Sequence, residues 1–181
     1  MSYESAYIIS GFVILFGIGS LFWGVGRMIA NRKHSWLITG FALTLFLIKI
    51  EYLFDFWATP FGLNNVEIWQ FLIMVAIAGI WSLLSIILIP LNVSEINLDA
   101  HYFKIHTVFF SLGASNTILN TFWDFFVIDE PWLSFETFFR VFFTVVAIFL
   151  AINKDRFLHY ATLILFIIGP VIFYLFRFLT P

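Results

Sequence analysis

The sequence predicts an all-α integral membrane protein, a bundle of about six transmembrane helices. Three observations predict it. Of 181 residues, 62% are hydrophobic and 11% are charged, against about 25% charged in soluble domains. The mean hydropathy is +1.00. The apolar residues form continuous runs near the roughly 20 residues a helix needs to cross a bilayer, and too long and unbroken for barrel strands. No stretch is polar enough for a soluble domain, so 1–181 reads as a single transmembrane unit.

The first span is expected at about 6–26. It lacks a basic leader and a small-residue cleavage site before Arg27, so it reads as a retained span and not a signal peptide. Ser20-x-x-x-Gly24, with Gly17 one turn earlier, resembles a small-xxx-small packing face, suited to a neighbour in the bundle or to another subunit. The second span, 36–59, opens at Trp36 and closes at Thr59-Pro60; the third covers 68–91. The fourth, 104–128, is rich in Asn and Thr; the fifth, 137–153, is the shortest. The sixth, 157–179, carries Gly169-Pro170 near its middle, where proline removes a backbone bond and favours a kink. Trp36, Trp57, Trp69, Trp123 and Trp132 fall near predicted ends, at the level of the interfacial aromatic belts.

Charge orients the spans. Connections 27–35, 92–103 and 153–156, with their flanks, hold Arg27, Arg32, Lys33, Lys104, Lys154 and Arg156. The remaining connections and termini hold Arg140 and Arg177. Basic connections stay cytoplasmic. The expectation is therefore three cytoplasmic connections with both termini outside. The hexamers YLFDFW (52–57), TFWDFF (121–126) and YLFRFL (174–179) recur near the outer ends of alternate spans. They suit three pseudo-repeated helical hairpins. Chance recurrence among 26 phenylalanines is the competing reading.

The candidate site lies in the buried charges. KIEYLFDF places Lys49, Glu51 and Asp55 within a membrane span. Lys49 is about 15 Å from Thr59 and about 20 Å from Trp36 along a helix, so it needs a partner or water inside the fold. Left in lipid it would cost about 2.5–3.5 kcal/mol. Asn116, Asn120 and Asp124 recur every four residues and form a polar stripe on the fourth span. If that stripe faces the second span, Glu51 lies level with Asn120 and Asp55 level with Asp124. With Arg140 and Arg177 the inventory is neutral, three cations against three carboxylates. It suits either a self-satisfying polar network or an ion pathway.

Other chemistry is sparse. There is no cysteine, which excludes disulfides, thiolate metal sites and cysteine nucleophiles. Asp99, His101 and His106 are weak metal candidates, since their spacing matches no zinc motif. No cofactor is expected, and a net charge of −2 without a basic tail gives no nucleic-acid footprint. The expected partners are the lipid bilayer and other membrane subunits or further copies of the chain. The leading expectation is a non-catalytic subunit of a larger membrane complex or oligomer. The alternative is a small proton- or cation-linked channel or transporter using Glu51, Asp55 and Asp124. A membrane enzyme acting on lipid comes third.

Overall fold

The computed structural model describes the backbone of residues 3–58, 67–128, 131 and 134–179. It describes their side chains except at 3, 54–58, 128, 170–171 and 173–179. Within these residues the chain is all-helical, as the sequence predicts. The helices are α1 (Tyr3–Ala30), α2 (Trp36–Ala58), α3 (Ile68–Leu88), α4 (Leu98–Trp123), α5 (Phe135–Ile152) and α6 (Arg156–Leu179). A π-helical turn, Asp124–Ile128, extends α4.

Four of these helices, α1, α2, α3 and α5, are long and apolar enough to cross a membrane. The predicted count was about six. α4 has 26 residues, but its His, Ser, Thr and Asn side chains keep it below that apolarity. The described apolar part of α6, Arg156–Gly169, is shorter than a span.

Local chemistry explains the ends. α1 closes with a Schellman pattern: Lys33 N–H donates to Met28 O at 2.9 Å and Arg32 N–H to Ile29 O at 3.0 Å. Arg32 takes the left-handed position, φ 52°, where glycine is usual. Asn97 Oδ1 accepts from Ala100 N–H at 3.1 Å and starts α4 at Leu98, well before the predicted 104. The polarity of DAH suits a connection, whereas Asn97 with Asp99 two residues on is a helix-start signal. Ser134 Oγ caps α5 through Thr137 N–H at 3.1 Å, and Asp155 Oδ1 caps α6 through Phe157 N–H at 2.8 Å.

The helices do not pack in sequence order. α1 lies mainly against α3, α4 against α5 and α3, and α6 against α2, while α5 and α6 meet chiefly through side chains, Phe143 on Phe166 at 4.9 Å and Phe139 and Phe143 at Gly169. The three hairpins therefore do not pack alike. Small residues set two of the close approaches. A Cβ on Gly24 would stand 2.7 Å from Ile89 Cδ1, and one on Gly40 would strike Leu163. Phe41 centres the main core, with the rings of Tyr102, Phe109, Phe110 and Phe166 at 5.3–6.0 Å. A smaller core around Ala6, Met74, Ile77 and Trp123 fills the other end. Large apolar side chains such as Phe12, Phe16, Trp23, Phe138 and Ile152 face outward, as lipid contact requires.

Contacts between connections bring three of them to one end. The Arg27 guanidinium donates to Leu91 O. Ser35 Oγ donates to Asp99 Oδ1 at 2.7 Å. Tyr102 and Thr107 of α4 bond to the α5–α6 junction. This is the end that carries the basic residues of 27–35, 92–103 and 153–156.

Candidate functional site

Lys49 is the deepest charge-bearing residue described. It is 0% exposed, and its amine donates to Ser85 Oγ on α3. Ser85 in turn donates to Trp81 O at 3.1 Å, the usual back-bond of a helical serine. Ser82, one turn away, donates to Val13 O on α1. Gly17 leaves the room for this arrangement. A Cβ there would lie 2.5 Å from Lys49 Nζ and 2.8 Å from Ser82 Cα. The amine thus sits where α1, α2 and α3 meet. The sequence pointed Lys49 toward the polar stripe of α4; its partner is instead a hydroxyl of α3. The overlooked signal was the pair Ser82 and Ser85 in an otherwise apolar helix.

The α4 stripe divides between two neighbours. Asn116 is 0% exposed and faces α3. With its amide oriented to complement its surroundings, the side-chain oxygen accepts from Trp81 Nε1 at 2.8 Å and from Asn120 Nδ2 at 3.3 Å, and the nitrogen donates to Ile77 O at 3.1 Å. Asn120 Nδ2 also donates to Asn116 O at 2.9 Å. Asp124 faces the other way and forms an ion pair with Arg140 of α5. Residues spaced by four drift about 40° per step on a 3.6-residue helix, so the stripe turns by about 80° between Asn116 and Asp124. Winding separates the two groups. The π turn begins at Asp124, whose N–H reaches both Asn120 O and Thr121 O.

The structure therefore pairs Asp124 with Arg140 and Asn116 with Asn120. Lys49 bonds to Ser85 instead, which in turn bonds to Trp81, the residue whose indole N–H meets Asn116. Glu51 is partly buried on α2. The side chains of Asp55 and Arg177 lie outside the described residues.

The weak metal candidates do not converge. Asp99 accepts from Ser35, His101 Nε2–H donates to Ile87 O at 3.1 Å, and His106 Nδ1–H donates to Phe103 O at 2.8 Å. A helix sends positions 101 and 106 about 140° apart. Among the described residues no group of three potential ligands could hold a metal ion.

Sequence reasoning missed a second buried cluster at the basic end. Tyr102 O–H donates to His159 Nδ1 at 2.7 Å, and His159 Nε2–H donates to Asn153 O at 2.7 Å. These two bonds assign the neutral tautomer with its proton on Nε2. The His106 ring packs edge-on against His159, with centroids 5.6 Å apart. Hydroxyl, imidazole and acceptor in series have the form of a nucleophile and its base. Both side chains are nevertheless 0% exposed, so the series acts as a tie between α4 and the α5–α6 junction. The visible clue was a histidine three residues into the sixth span.

No protein family, curated protein or solved structure matches the chain.

Proposed function

We propose that the protein is a non-catalytic, multi-pass membrane subunit that works within a larger membrane complex or oligomer. In this reading α4 and α6 cross the bilayer with the other four helices, sheltered by protein contacts that offset their polarity. The basic connections are cytoplasmic and both termini lie outside. The observation that carries the reading is the Asp124–Arg140 ion pair. It answers a buried carboxylate from inside the chain, and Asn116 and Lys49 are likewise answered from inside. Interhelical polar contacts of this kind average about 0.6 kcal/mol in one measured case. They fix rotation and register more than they stabilise, which is the need of a subunit that presents a defined outer surface.

One observation favours proton-linked transport as a second reading. Lys49 is held by a hydroxyl and has no ion pair among the described residues. Buried ionisable groups of this kind mark proton routes in many membrane proteins. Flux assays on purified protein in liposomes separate the two readings. The subunit reading expects proton and cation flux no greater than in protein-free vesicles, and a native mass in mild detergent above that of one chain. Flux that Glu51→Gln or Lys49→Met abolishes would replace it with the transport reading. A monodisperse single chain without flux would remove both.

A further inference from the structure

We propose that the basic end of the bundle binds the phosphate of an anionic phospholipid at Lys104, Lys154 and Arg156. Four observations combine. First, the cations have no described anionic partner. All three side chains are exposed, and none forms an ion pair or a side-chain hydrogen bond among the described residues. Second, the nearby carboxylates are turned to other donors and pair with none of the three. Asp99 accepts from Ser35, and Asp155 caps α6 through Phe157 N–H. Three cations therefore stand against two carboxylates, Asp99 and Asp155, each of which accepts at Oδ1 from a neutral donor.

Third, Arg156 is held in place. Its guanidinium carbon lies 5.5 Å from the centroid of the Phe103 ring, a cation–π contact. Stacking on a ring leaves the N–H edge open to two oxygens of one phosphate. Phe103 directly precedes Lys104 in α4, and Thr107, one turn on, donates to Ala151 O at 2.9 Å. This bond keeps the first turns of α4 beside the end of α5, and Tyr102–His159 keeps α6 there too. The three cations come from three elements joined by those contacts. Fourth, the site opens onto apolar surface. Val108, Phe149, Ile152 and Phe157 face outward at this end. They offer acyl chains a wall that inorganic phosphate could not use. Basic side chains at a helix–membrane boundary are attracted to anionic headgroups. The ring-held guanidinium adds a fixed position to that attraction.

The test uses the full chain in a neutral detergent with defined additives: phosphatidylglycerol, phosphatidylcholine or inorganic phosphate. Thermal unfolding and native mass spectrometry are read together. Phosphatidylglycerol is expected to raise the unfolding midpoint and to remain bound, with phosphatidylcholine and inorganic phosphate doing neither. K104Q and R156Q should each weaken phosphatidylglycerol binding about fivefold. R156K should recover part of the loss, because it keeps the charge without the fork. The pair R32Q/K33Q, at the α1–α2 turn, should leave binding unchanged. Equal effects of the two lipids would overturn the proposal, as would binding that survives K104Q/R156Q or is lost equally in R32Q/K33Q. A midpoint raised by inorganic phosphate alone would overturn the assignment to lipid.

Discussion

At the residue scale, Lys49 and Ser85 form a unit whose parts are not equivalent. Removing the hydroxyl strands the amine, and an unmet buried donor costs about 1–3 kcal/mol. Removing the amine strands little, because Ser85 keeps its bond to Trp81 O. Ser85→Ala is therefore expected to lower stability by that amount. Lys49→Met should stay within about 1 kcal/mol of wild type or rise above it. The double variant should match Lys49→Met. Reversible unfolding in mixed micelles measures all three, and additive losses would mean that the two side chains do not act together. Gly17→Ala belongs to the same corner. Its new carbon meets backbone at Ser82, and overpacking of that kind costs about 1–3 kcal/mol. Arg32 offers the opposite case. A side chain in the left-handed region costs about 1–2 kcal/mol, so Arg32→Gly should raise the unfolding midpoint. A lower midpoint would mean that the arginine side chain makes a larger contribution than its backbone strain.

At the element scale, α4 decides how much of the site was legible. Its polar stripe could be read directly, because a spacing of four is a property of one helix. The partners could not be read. The choice between α2, α3 and α5 depends on which helix packs where, and a 40° drift per step hands Asn116 and Asp124 to different neighbours. The α4 start was misplaced because polarity outweighed the cap signal at Asn97. The Tyr102–His159 tie was invisible for a simpler reason. Tyrosine and histidine near a span end look like interfacial residues, and only the return of α6 beside α4 buries them. Tyr102→Phe should leave His159 Nδ1 without a donor and cost about 1–3 kcal/mol. Limited proteolysis should then cut faster at 153–156 than elsewhere. Unchanged cleavage would show that the ring packing alone holds the junction.

At the scale of the whole molecule, the count of crossings is open to a direct measurement. The chain has no native cysteine, so single cysteines report without background. Asn31→Cys, Ser94→Cys and Lys154→Cys sit in the three connections of the basic end. If all six helices cross, an impermeant maleimide should label all three from the same, cytoplasmic side. If only α1, α2, α3 and α5 cross, Lys154→Cys should label from the opposite side to the other two. Membrane character was plain from composition because burying apolar surface in lipid leaves its mark on the whole chain. The preference of α6 for α2 over α5 was not, since adjacency in sequence suggests a closely paired hairpin.

The packing of α6 on α2 bears on how the protein is made. α6 packs on α2, with Leu163 seated at Gly40, yet the two are separated by most of the polypeptide. During synthesis the notch in α2 lacks Leu163 until nearly the last helix leaves the ribosome. Closure must wait for this long-range contact, the kind that forms slowly. The nascent protein therefore passes through a stage in which five helices are in hand and the Gly40 flank of α2 faces something other than α6.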